Sequence, residues 1–149
     1  MRYEHKLDIK APREHVIKLF EDPQNLKEWK PELLSIETLC GTPGELGAKS
    51  KHLTMQGKQI QEITETITVK RPPDHYSATY ETGSVWNLVE NRFYQIEPTK
   101  TRWKVISEFN SSNILTKIVT VFMLAAYKKQ TREAMDRFKE FAESHSRDR

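Results

Sequence analysis

Glu65 is the residue in this chain best placed to do chemistry. From Gln59 to Lys70 the sequence alternates, with Gln61, Ile63, Glu65, Ile67 and Val69 on one face and Glu62, Thr64, Thr66 and Thr68 on the other. The first face is the apolar one, so it carries a carboxyl. Desolvation raises the pKa of such a carboxyl and fits it for acid/base work near neutral pH. The plainer use is a hydrogen bond to Tyr80 or Asn91 that avoids an unpaired buried charge. Both uses stand at this point, and Tyr80 is the natural partner in either.

Other chemistry finds less support. Of the five histidines, His15 and His145 fall on helical patterns among charged neighbours and His75 follows a turn. Only His5 and His52 lie on strands that can face inward. No pair has metal-ligand spacing, so no metal and no cofactor are expected. No serine sits in a Gly-x-Ser-x-Gly elbow. Gly41, Gly44 and Gly47 invite a phosphate-loop reading, but Pro43 interrupts them and a strand follows, so a turn is the better reading. The single cysteine, Cys40, rules out an internal disulfide and fits a reducing compartment.

Positioning these residues takes many strands and one long helix. Tyr3 to Lys10 alternates as a half-buried strand and stops at Ala11-Pro12. Val16, Ile17, Leu19 and Phe20 mark a short amphipathic helix with Pro12 at its start. Asp22-Pro23 caps a second, which carries Leu26 and Trp29 inward and ends at Pro31. Strands are then expected over 33–40, 48–56, 59–70, 76–81, 85–96 and 101–110, separated by Gly- and Pro-containing turns. Trp103, Val105, Ser107 and Phe109 form one face of the last strand. On the strand before it, Val85, Asn87, Val89, Asn91 and Phe93 are assigned inward, because the opposite face carries Glu90 and Arg92.

From about Asn113 to Ser146 runs the only segment long and periodic enough for a helix of about nine turns. Leu115, Ile118, Val119, Phe122, Ala126, Ala134, Phe138 and Phe141 recur at helical spacing, which predicts a stripe laid against the sheet. Ser112 or Asn113 caps the start, and Ser144 to Arg149 is expected to fray. Within that stripe Ala126 is small, so it is expected to leave room and form part of a pocket floor.

The chain of 149 residues is the size of one domain. Its net charge of +3, from 24 Lys plus Arg against 21 Asp plus Glu, is interspersed. That pattern argues against a nucleic-acid partner. No apolar run reaches the length of a membrane span, and the N-terminus has no apolar stretch that could serve as a signal peptide, so a cytoplasmic protein without integral membrane association, monomeric or homodimeric, is expected.

Four local patterns carry a family resemblance. They are Ile9-Lys10-Ala11-Pro12 with Val16 and Leu19-Phe20, Asp22-Pro23 with Trp29-Lys30-Pro31, Pro72-Pro73 before the fifth strand, and Thr101-Arg102-Trp103 opening the seventh. Together they make the chain resemble the START-like, or SRPBCC, superfamily, in particular its bacterial polyketide cyclase/dehydrase-like branch. The resemblance implies an α+β helix-grip fold: a curved seven-stranded antiparallel sheet around a long C-terminal helix, with two short helices between strands one and two. It also implies a cavity for lipids, polyketides or other hydrophobic molecules, and it transfers no catalytic residue.

A hydrophobic small molecule is therefore the expected partner. The expected lining is Ile63, Glu65, Ile67, Tyr80, Asn87, Val89, Asn91, Phe93, Trp103, Val105, Phe122 and Ala126. Three functions remain open on sequence grounds: a binding or carrier protein, a cyclase or dehydratase using Glu65 with Tyr80, and a protein-interaction module acting on chaperones or ribosomes. The same inward polar groups can also satisfy one another around a solid core, a reading that alternation alone does not separate from a pocket.

Overall fold

The computed structural model describes residues 1–146. Seven antiparallel strands form one sheet: β1 (Arg2–Ile9), β2 (Leu33–Cys40), β3 (Lys49–Gln56), β4 (Gln59–Arg71), β5 (His75–Thr82), β6 (Val85–Glu97) and β7 (Lys100–Ser111). Their order is β1-β7-β6-β5-β4-β3-β2, so the chain walks outward from β7 back to β2 by hairpins and β1 closes the far side. Between β1 and β2 lie α1 (Arg13–Glu21), a single 3-10 turn and α2 (Leu26–Trp29). The chain closes with α3 (Ile114–Ser146). This is the helix-grip arrangement. The fraying expected from Ser144 is not seen at 144–146, where helix continues; the rest of that expectation, residues 147–149, lies outside the described residues.

Local chemistry accounts for the breaks. Asp22 accepts a hydrogen bond from the Gln24 amide at 2.9 Å, and Asn113 caps α3 by accepting from the amides of Leu115 and Thr116 at 2.8 and 3.3 Å. At Gly41, φ is +80° and a Cβ would come within 3.0 Å of the Ala48 backbone, so the turn after β2 demands glycine.

One half of the space between sheet and helix is packed solid with aromatic rings. Phe20, Trp29, Phe93, Trp103 and Phe138 meet largely edge to face, with Phe138 5.2 Å from both Trp29 and Trp103. Ile9, Val16, Met135 and Ala142 fill the gaps between them. Polar ties lock the same half of α3. Lys139 donates to the Asp8 carbonyl at 2.6 Å, Arg137 to the Trp29 carbonyl at 3.2 Å, and the Lys10 amide to Glu143 at 2.8 Å.

The first half of α3 departs from the expected stripe. Phe122 is 83% exposed, and Leu115, Ile118, Val119 and Ala126 are also exposed. The residue that faces inward there is Thr120, which is buried, with Thr116 tied to the β5–β6 turn through a 2.8 Å hydrogen bond from Ser84. At 100° per residue, the direction fixed by Phe138, Met135, Thr131 and Tyr127 extrapolates to Thr120 and not to Phe122. The apolar positions of 115–126 and those of 134–142 thus lie on different sides of one straight helix.

Candidate ligand cavity

Beyond the aromatic cluster the space stays open as a cavity of about 260 Å³, between the concave sheet and the middle of α3. Its walls are mostly apolar: Leu33, Ile63, Val89, Trp103, Val105 and Phe109 from the α2–β2 region and the sheet, with Tyr127, Ala134 and Met135 from α3. The hairpin ends contribute Gln56, Gln61, Thr82 and Val85, so the cavity reaches the end of the sheet at which α3 begins.

Strand register explains the polar groups. Ser50, Glu65, Tyr80 and Asn87 pair in succession across β3 to β6, forming one row on the sheet. Tyr80 Oη donates to Glu65 Oε2 at 2.7 Å, and His52 Nε2 lies 3.7 Å from Glu65 Oε1 and shares a 3.0 Å hydrogen bond with Ser50. Burial alone pushes the Glu65 carboxyl up. The contact with His52, the hydrogen bond from Tyr80 and the charge of Lys30 more than offset it, so its pKa lies below the ordinary 4.5. The carboxylate therefore stays ionised at neutral pH, and the expected upward shift is corrected. Tyr80, buried beside that charge, is held well above 10 and keeps its proton.

Lys30 completes this group. Its Nζ sits 4.9 Å from the centre of the Trp29 ring and 5.8 Å from that of Tyr80. Burial lowers its pKa, while Glu65 and Glu32 work against that shift. Two donors on lining residues, the Trp29 indole Nε1 and the Thr54 hydroxyl, are buried without a hydrogen-bond partner, on residues 6% and 9% exposed, and have too little accessible surface to face the cavity. Elsewhere polar groups of the lining pair with one another. Trp103 Nε1 donates to Asn91 at 3.0 Å and Asn87 donates to Ser107 at 2.9 Å. Among the described residues no group of three His, Cys, Asp or Glu side chains converges on a metal site.

Of the expected lining residues, the structure brings Ile63, Tyr80, Asn87, Val89, Asn91, Trp103 and Val105 together around the cavity. Glu65 stands behind the wall and orients Tyr80 and His52. Phe93 belongs to the solid aromatic half. Ile67 sits where β4 bonds the loop before β3, its amide donating to Ala48 and its carbonyl accepting from Gly47. Phe122 and Ala126 point to solvent. The sequence reading passed over Lys30, because a lysine before Pro31 reads as a helix end. It also passed over Thr54, although His52, Thr54 and Gln56 alternate on one face of β3.

With the geometry in place, comparison with known proteins is decisive at the level of family. A model of the polyketide cyclase/dehydrase and lipid transport family matches residues 1–143. The chain belongs to that family. No curated protein sequence matches it. Among solved structures, this family member is similar to the ZhuI aromatase/cyclase from Streptomyces sp. R1128, at TM-score 0.79 and 13% identity over 96% of this chain and 93% of that one. It is similar also to norcoclaurine synthase from Thalictrum flavum, solved with dopamine and hydroxybenzaldehyde, at TM-score 0.73 and 14% identity over 97% and 87%. A conserved protein from Geobacillus kaustophilus gives TM-score 0.76 and 17% identity over 95% of both chains. At these identities the likeness is one of fold.

Proposed function

We propose that this protein binds and carries a hydrophobic small molecule that bears an oxygen acceptor at one end. The observation that carries the reading is a mostly apolar cavity of about 260 Å³ with the Lys30 side chain in its wall. Lys30 offers a cation to the ligand oxygen, and the apolar walls take the remainder of the molecule. Native mass spectrometry of freshly purified protein, followed by extraction, tests this reading without a guess about identity. A stoichiometric adduct carrying such an oxygen is expected. A protein that arrives empty and takes up no hydrophobic probe contradicts it.

A second reading, acid/base catalysis on the bound molecule, has a specific observation behind it. Lys30, Tyr80 and His52 line the cavity while Glu65 binds the latter two. In this reading Lys30 acts as the neutral amine instead of as a cation, a form that desolvation favours by lowering its pKa, and takes a proton from a carbon beside a ligand carbonyl, as cyclisation requires. Once an extracted molecule is in hand, Lys30→Met separates the two functions. Retained conversion of that molecule in the variant removes the catalytic role.

A further inference from the structure

Among the described residues the outward side of the first half of α3 has no partner. Ile114, Leu115 and Phe122 are 75, 70 and 83% exposed, and Ile118, Val119, Val121 and Met123 are exposed beside them. At 100° per residue these positions span an arc of about 200°. A second copy or a partner protein packed on a helix takes a narrower stripe. Covering so wide an arc calls for a medium that surrounds it.

Charge says which medium. From Phe109 to Arg132 the sequence has no Asp or Glu, while it has Lys117, Lys128, Lys129 and Arg132. Lys129 and Arg132 continue the outward face two to three turns beyond Phe122, and the loose 3.9 Å pair between Lys129 and Glu133 is itself exposed. An apolar segment with basic residues at its flank matches the acyl boundary and the phosphates of an anionic leaflet.

We propose that residues 114–123 dock this protein on an anionic lipid bilayer. The inference rests on the carrier reading for its purpose, because the Ser84–Thr116 hydrogen bond ties this segment to the hairpin end that the cavity reaches. Docking there brings the cavity to the surface that supplies or receives an apolar ligand. Among the described residues no helix is long and apolar enough to cross the bilayer, so the docking is peripheral and reversible.

Co-sedimentation of the full chain with phosphatidylcholine vesicles, with and without phosphatidylglycerol, tests it. The wild type should pellet with the anionic vesicles, on the order of tenfold more weakly with neutral ones, and should be released by salt. Val119→Asp combined with Phe122→Asp should abolish pelleting with an unchanged melting temperature. A wild type that stays in the supernatant, or a double variant that pellets equally well, overturns the proposal. If the wild type stays in solution as a dimer that the double variant dissolves, the face belongs to a second copy. Parallel titration with 1-anilinonaphthalene-8-sulfonate separates the two readings. Pelleting without one-to-one dye uptake sinks the carrier alone, and dye uptake without pelleting sinks the docking alone.

Discussion

Glu65 and Lys30 differ in how far sequence reveals them. The alternation of β4 puts Glu65 on the inner face, but its titration depends on groups from elsewhere in the chain: Tyr80 on β5, His52 on β3 and Lys30 after α2. An NMR titration should find the Glu65 carboxyl below 4.5, and Tyr80→Phe, which removes one donor, should raise it. A value above 4.5 in the wild type contradicts the network. The sign for stability follows from linkage. With the folded pKa depressed, Glu65 binds fewer protons folded than unfolded, so its contribution is full above the unfolded value and is lost as pH falls through the folded one. Glu65→Gln should therefore flatten the acid limb of a stability-against-pH curve, as read by chemical denaturation at a series of pH values.

At the scale of the element, α3 shows what periodicity does and does not give. Spacing and the Asn113 cap predict the helix and its start, since both are local. The facing direction is not local. It is set by Phe138, Ala142 and Met135 locking into the aromatic cluster, and that lock turns the apolar residues of the first half outward. Phe138→Ala should lower stability by about 3–5 kcal/mol, because it opens a void inside a ring cluster. Ala126→Trp, at an exposed position, should leave the melting temperature within a degree or two and leave dye uptake intact. Thermal denaturation reads both. A large loss from Ala126→Trp would return that residue to the interior and restore the uniform stripe. The strands fared differently because their inward residues lie in one row across neighbours, so an error on one strand conflicts with the next. That is why Asn87, Asn91, Trp103 and Val105 reach the cavity as their alternation predicts, while the helix side of the wall had to be seen.

For the whole molecule, the sheet and α3 enclose two compartments, one filled by rings and one left open. Alternation places residues inside but does not say which compartment they enter. Phe93 lies wholly within the ring cluster, whereas Val89, two repeats of the pleat away on the same face of β6, packs against that cluster and lines the open compartment as well. The central claim is that the open compartment takes a ligand, and Ala134 tests it most directly because it lies in the cavity wall and is buried. The measurement is titration with 1-anilinonaphthalene-8-sulfonate of the wild type, Phe122→Ser and Ala134→Trp, with melting temperatures alongside. A ligand cavity predicts saturable one-to-one uptake by the first two, none by Ala134→Trp, and no loss of stability in that variant, because the indole enters free volume. A solid interior predicts no uptake by the wild type and an overpacking cost of about 1–3 kcal/mol in Ala134→Trp, a fall of about 2–4 °C for each kcal/mol lost. That second result would contradict the account.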